Sequence, residues 1–289
     1  MATAADEAGW THREAVVNNV RLHWVEAGAG KPVLLLHGFP QFWWMWRRQI
    51  QPLADAGFHV IAPDLRGYNL SDRPSGVSAY RMENLVADVE ALIRQTGVQR
   101  AHVVGHDWGG LIAWWLAMLS PQRVERLAVL NAPHPRAFRR EIRKPDQMLR
   151  SWYAAAVQLP VLPEIAIRRN DFALLERAFR ATSVRPGAFA DDDIRRYKQA
   201  AARPGALTAM LNYYRAAARR PSPPTRRIDH PAMLIWGERD QALSARMTQG
   251  LEEWVPNLRI ECLPDASHWV AEELPERVTA LLTDFLIRP

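Results

Sequence analysis

Gly105-His106-Asp107-Trp108-Gly109 follows the apolar run His102-Val-Val-Gly105 and leads into the helix-forming residues 110–119, and this junction decides the fold. Its glycines are spaced as in a G-x-S-x-G nucleophile elbow, with aspartate where the serine would stand. Such a turn presents its central residue where a buried strand runs out. Small neighbours are required because the backbone passes close to adjacent elements while the central residue is strained. The plainer alternative is that Asp107 only caps the helix that follows it.

Outward from this junction, strands and helices alternate. Residues 14–27 read as two short strands and 32–37 as a buried strand; a helix over about 43–56 is closed by Gly57. A strand at 58–63, a helix at 82–96 with Gly97 after it, the strand at 102–105 and a strand at 126–131 continue the pattern. This predicts an α/β fold with a mostly parallel central sheet flanked by helices. From residue 134 to about 224 the alternation stops, and helical stretches at 147–158, 171–181, 191–202 and 206–219 predict an inserted all-helical cap. Its exit, Pro221-Ser-Pro-Pro224, is stiff and suits a hinge. A strand at 231–236, a helix near 245–254, a strand at 258–263 and a helix at 275–286 complete the sheet. The expected organisation is a first core part over 1–133, the cap or lid over 134–228 and a second core part over 229–289.

The 289 residues, 48% of them hydrophobic, suit one large core with an inserted module. No stretch approaches the ~20 apolar residues needed to span a bilayer. The first nine residues lack the order of a secretory signal, a basic start followed by an apolar run. The single cysteine, Cys262, cannot form an internal disulfide and reads as a buried structural thiol in a cytoplasmic protein. The net charge of +6 is unevenly spread: residues 134–230 carry 20 Lys/Arg against 9 Asp/Glu, and the rest carry 17 against 22. Pairs such as Arg139-Arg140 and Arg195-Arg196 read as solvated helical faces, without a nucleic-acid-binding motif beside them. Neither a nucleic-acid nor a membrane partner is expected, and a homodimer is left open.

An elbow of this kind predicts an acid after a later strand and then a histidine, in that chain order. Asp240 follows the strand ending at Trp236 through the turn Gly237-Glu-Arg, and His268 lies in Pro264-Asp-Ala-Ser-His-Trp269 after the last strand. Glu238 and Asp265 are rival acids with poorer spacing. His12, His23, His59 and His102 lie in the N-terminal segment or in strand-like stretches and read as exposed or satisfied core residues. An oxyanion hole requires two N–H groups aimed at one point. Trp108, after the nucleophile, and Phe39, in His37-Gly38-Phe39-Pro40, are the expected donors, with a cis bond expected before Pro40.

The sequence resembles the epoxide hydrolase branch of the α/β-hydrolases, in the soluble epoxide hydrolase family. The matching runs are His37-Gly-Phe-Pro-Gln-Phe-Trp-Trp-Met-Trp46, Ala62-Pro-Asp-Leu-Arg-Gly-Tyr68, Gly105-His-Asp-Trp-Gly-Gly110, Asn131-Ala-Pro-His-Pro135, Trp236-Gly-Glu-Arg-Asp240 and Ser267-His-Trp269, which extend over nearly the whole chain. The resemblance implies the α/β-hydrolase fold and hydrolysis of a small hydrophobic epoxide by water to a vicinal diol. It implies a covalent ester on Asp107, with Asp240 and His268 completing the machinery and no metal or organic cofactor. It also implies two lid tyrosines on the epoxide oxygen. Tyr153, in Ser151-Trp-Tyr153, takes the first place; Asn212-Tyr-Tyr-Arg215 resembles the second, with Tyr214 favoured and Tyr213 not set aside. Ordinary packing is the other role open to these rings. Trp43, Trp44 and Trp46 read as packing or pocket wall, and Asp64 as similar to the family's structural loop aspartate.

A haloalkane or haloacid dehalogenase uses the same aspartyl ester and is the nearest alternative. Haloalkane dehalogenases typically carry asparagine where this chain has Phe39. Fluoroacetate dehalogenases carry elbow arginines where it has Trp108 and Leu111, and place their acid where it has Asn131. A serine esterase lacks its serine here. A non-catalytic receptor or scaffold on the same fold is a further alternative, since fold does not fix function; the complete acid, base and nucleophile set disfavours it.

Overall fold

The runs Lys31–Leu36 and Ala101–His106 are almost wholly buried, and they occupy the middle of the sheet, where both faces are covered. The computed structural model describes residues 9–219, 224 and 226–288. Its strands are β1 (Thr11–Val17), β2 (Val20–Ala27), β3 (Lys31–Leu36), β4 (Phe58–Pro63), β5 (Ala101–His106), β6 (Val124–Leu130), β7 (Ala232–Gly237) and β8 (Leu258–Leu263). They form one sheet in the order β1-β2-β4-β3-β5-β6-β7-β8. β2 runs antiparallel to β1 and to β4; every later pairing is parallel.

Side chains on a strand alternate between faces, so each strand feeds two cores. Leu34, Leu36, Val103, Val129 and Leu234 pack on one face with the helices α2 (Met82–Gln95) and α3 (Trp108–Leu119). Val33, Leu35, Val104, Ala128 and Met233 pack on the other with α1 (Arg47–Asp55) and α11 (Pro275–Ile287). The expected helix at 43–56 starts as a 3-10 turn, Trp43–Trp46, before α1. The helix expected near 245–254 is only the 3-10 turn Ala245–Thr248: the chain turns extended at Gln249, and Gly250 follows at φ +68°. Cys262 is exposed, not buried: β8 is an edge strand, and Cys262 shares with Ile260 the face left uncovered.

Between β6 and β7 the described residues form helices and turns and no strand. The helices are α4 (Pro135–Glu141), α5 (Pro145–Arg150), α6 (Trp152–Ala156), α7 (Leu162–Thr182), α8 (Asp191–Ala202) and α9 (Ala206–Ala218). α4 was not expected; Pro135 stands in its first turn and the His134 ring accepts the Arg136 N–H. The single helix expected at 147–158 is divided into α5 and α6 at Ser151, whose hydroxyl accepts from the Gln147 amide. α7 is two helical pieces divided at Arg169–Phe172, where Asn170, Asp171 and Phe172 all take positive φ; the piece after the break lies where the helix at 171–181 is expected, and the piece before it is additional. The hinge expected at Pro221-Ser-Pro-Pro224 lies outside the described residues except for Pro224. α8 is tied to the core by Arg47, which donates to Asp193 at 2.7 Å and to Glu272 at 2.9 Å, and by Tyr197, which donates to Glu272 at 2.7 Å. Among the described residues no helix is long and apolar enough to cross a membrane.

Candidate active site

At the end of β5 the chain reverses so sharply that Asp107 takes φ +50° and ψ −118°, and α3 begins at the next residue. Two glycines make this possible. A Cβ on Gly105 would lie 2.3 Å from the Gly109 carbonyl oxygen, and one on Gly109 would lie 2.2 Å from the Leu36 carbonyl oxygen. The turn carries the Asp107 carboxylate to the end of β3, where Oδ1 accepts the Phe39 N–H at 2.8 Å. The Trp108 N–H, next in the chain, also favours the charged form of this carboxylate. The Phe39–Pro40 peptide is cis, as expected. Burial pushes the Asp107 carboxyl up, against the opposing pull of His268 and the two amides.

Asp240 and His268 come to the same place from the loops after β7 and β8. His268 Nδ1 lies 2.8 Å from Asp240 Oδ2, and its Nε2 lies 3.7 Å from Asp107 Oδ2. Asp240 is fully saturated: Oδ1 accepts the Ala242 and Leu243 N–H groups at 2.8 and 2.9 Å, and Oδ2 also accepts the Asn131 amide at 2.9 Å. Burial acts to raise the Asp240 carboxyl, but the His268 charge and these hydrogen bonds hold it below the ordinary range. Burial likewise opposes charge on His268, yet the Asp240 carboxylate, its hydrogen bond and Asp107 raise the imidazole to about 9. The rival acids do not reach it. Glu238 is exposed, and Asp265 is exposed and pairs with Arg185.

A cavity of about 1090 Å³ opens over Asp107, with Trp108, Leu111, Trp115, Tyr153 and Tyr214 in its wall. The lining is not apolar throughout, because Arg139 and Arg143 also reach the space. Adjacent helical residues point about 100° apart, which separates the two candidate tyrosines of α9. Tyr213 is wholly buried and donates to the Arg66 carbonyl oxygen at 2.7 Å. Tyr214 faces the cavity, held edge-on against Trp108 and Phe39 with ring centroids 4.9 and 5.4 Å away. Its ring centroid is 6.0 Å from that of Tyr153. Burial and the Asp107 charge push both phenols upward, so each keeps its O–H proton at neutral pH. One space is thus bordered by a carboxylate, an acid-supported imidazole, two convergent amides and two phenol donors.

Two further residues contribute to the site. Asn131, at φ +39° after β6, donates to Asp240 and accepts the Gly237 N–H at 2.9 Å, bracing the acid's loop. His106 Nε2 lies 2.8 Å from the His268 carbonyl oxygen, and burial holds its imidazole down at about 3, so it stays neutral and donates this bond. Asp64 is wholly buried; it pairs with His23 at 2.7 Å and accepts the Asn69 amide, in keeping with a structural part. His12 stands 2.7 Å from His23, and His102 is buried in the core. Trp43, Trp44 and Trp46 are buried in the core on the α1 side of the sheet. Among the described residues no cluster of three or more His, Cys, Asp or Glu side chains is disposed to hold a metal.

The chain is similar over most of its length to known proteins. The α/β hydrolase fold family matches residues 31–275. An AB hydrolase superfamily protein of Bacillus subtilis is 44% identical over 277 residues, covering 93% of this chain and 95% of its own. Epoxide hydrolase 2 of Caenorhabditis elegans is 35% identical over 96% of this chain and 80% of its own. The crystal structure of an epoxide hydrolase from Bacillus megaterium in complex with an inhibitor has a TM-score of 0.89 at 34% identity, over 96% of this chain and 100% of that one.

Proposed function

The chain belongs to the α/β-hydrolase family, in its epoxide hydrolase branch, and from that premise we propose that it hydrolyses hydrophobic epoxides to vicinal diols through an ester on Asp107. The observation that carries the reading is the pairing, across one cavity, of a carboxylate with two protonated phenols. A carboxylate can attack saturated carbon without first losing a proton, which a serine cannot do. Oδ1 of Asp107 is engaged by the Phe39 amide, so Oδ2 is the attacking atom. It forms a C–O bond to one ring carbon as that carbon's bond to the ring oxygen breaks, and Tyr153 and Tyr214 hydrogen-bond the departing oxygen and supply its proton. Residues 134–228 act as the cap that brings these phenols over Asp107.

Ester formation removes the Asp107 charge, one of the charges that raise His268. The imidazole then falls toward neutrality, and the proton it releases replaces the one the phenols gave up; neutral His268 serves as base, oriented by Asp240. It takes a proton from water, whose oxygen attacks the ester carbonyl carbon. The oxyanion forms beside the Phe39 and Trp108 amides; its collapse breaks the ester C–O bond, the departing diol oxygen takes up the proton released by the new carboxyl group, and Asp107 is restored as a carboxylate beside the protonated His268. Each amide contributes about 3 kcal/mol to this step. No metal or organic cofactor enters either half-reaction. The unpaired cysteine suits a reducing, cytoplasmic compartment.

The test is a single turnover of styrene oxide in H₂¹⁸O with mass analysis of the diol and of the peptide containing Asp107. Label in Asp107 and none in the diol is the expected result. Unlabelled Asp107 with labelled diol means direct attack by water and overturns the nucleophile assignment. If no diol forms, halide release from haloalkanes and haloacids would favour the dehalogenase alternative.

A further inference from the structure

The loop that carries His268 is fastened to the helical segment through one carboxylate. Glu273 ends the short helix α10 (Val270–Glu273) and is 5% exposed. On one side it accepts the Ser267 N–H at 2.6 Å and the Ser267 hydroxyl at 2.9 Å, one residue before the base. On the other it accepts the Ser183 hydroxyl at 2.7 Å and the Val184 N–H at 2.6 Å, where the chain leaves α7. Beside it, the Trp269 indole N–H donates to the Thr182 hydroxyl at 2.7 Å, so both neighbours of His268 in the chain take part. From the core side His106 holds the His268 carbonyl.

All four of these partners are neutral donors, and among the described residues no Lys or Arg forms an ion pair with Glu273. A buried carboxylate satisfied in this way keeps its full field on its surroundings. That field adds to those of Asp240 and Asp107 in favouring the charged form of His268.

We propose that Glu273 is a positioning residue that couples seating of the helical segment to the hydrolytic half-reaction. With Ser183 and Val184 docked, the carboxylate holds Ser267, and through it the His268 loop, in register with the Asp107 ester. With that edge undocked, two of the four donors are lost and the loop carrying the base is loosened. Alkylation depends on this clamp less than hydrolysis does, because Tyr153 and Tyr214 stand on α6 and α9, neither of which bonds Glu273, whereas the base's own loop does. The inference rests on the aspartyl-ester reading above.

The experiment follows both half-reactions by rapid quench, with mass detection of the Asp107 ester, in the full chain and in Glu273→Gln, Glu273→Asp and Ser183→Ala. Glu273→Gln is expected to alkylate within about twofold of the unaltered chain and to hydrolyse its ester at least about tenfold more slowly. Removing a negative charge lowers the imidazole's pKa, so the pH limb of ester hydrolysis should move to lower pH. Glu273→Asp should return that limb toward its original place. Ser183→Ala touches only the cap side of the clamp and should slow hydrolysis about threefold without moving the limb. It also keeps the question answerable if Glu273→Gln does not fold. Equal slowing of both steps, or no change in hydrolysis in Ser183→Ala, overturns the coupling. If the unaltered chain itself forms no ester, the underlying reading fails and this inference fails with it; an ester with an unchanged ratio of steps in the variants overturns this inference alone.

Discussion

Replacing Asp240 by asparagine keeps the shape of the acid's pocket and removes its charge. In the unaltered chain His268 stands at about 9 against an ordinary 6.5, a difference worth about 3 kcal/mol in favour of the imidazolium. Because the folded value lies above the unfolded one, this stabilisation is fully present below pH 6.5 and is lost as pH rises through about 9. Burial opposes the charge, and Asp240 is the foremost group that overcomes it. In Asp240→Asn the imidazole should therefore drop by at least about two units. Nuclear magnetic resonance of ¹³C-labelled histidine reads this directly, with His268→Gln assigning the resonance among the nine histidines. Urea denaturation at pH 6 and pH 9.5 gives the matching stability change: the unaltered chain should lose up to about 3 kcal/mol more than the variant between them. Ester hydrolysis should fall by about a thousandfold or more, since the base loses its orientation. A His268 that still titrates near 9 in the variant would refute the argument, because burial and the remaining charges would then be setting its proton affinity without Asp240.

Tyr153→Phe and Tyr214→Phe should each slow ester formation about a hundredfold in rapid-quench kinetics. Tyr213→Phe should leave it within about twofold while costing about 1 kcal/mol of stability, as its hydroxyl serves the Arg66 carbonyl; slower alkylation in Tyr213→Phe would reverse the choice between the two residues. Gly109→Ala forces a Cβ to within 2.2 Å of the Leu36 carbonyl oxygen. It should cost about 3 kcal/mol in urea denaturation, and a loss below about 1 kcal/mol would mean that the elbow is looser than its contacts indicate.

The parallel core was legible because buried strands need unbroken apolar runs and elbows need small residues, and both constraints act on consecutive positions. The strand at 258–263 and the helix at 191–202 lie where they were read. The failures lie where side chains or turn geometry outweigh helical pattern. The helix predicted through Ser151 is two helices in the structure. The helix predicted at 245–254 stops where the chain turns extended at Gln249, ahead of Gly250, and neither α4 nor the piece of α7 before its break has a pattern that predicts it. The strand-like neighbours of Cys262 predict burial, but a strand's sequence does not say that it lies at an edge.

The chain order of Asp107, Asp240 and His268, and the glycines that let the elbow form, are properties of the sequence by itself. Which acid meets the base, which of two adjacent tyrosines faces the cavity, and how Asn131, His106 and Glu273 brace the site depend on tertiary structure. His106 and His268 stand 162 positions apart, and Asn131 and Asp240 stand 109 apart. Contacts between residues so far apart leave no local pattern, because they exist only once the sheet has brought the ends of β5, β6, β7 and β8 to one edge.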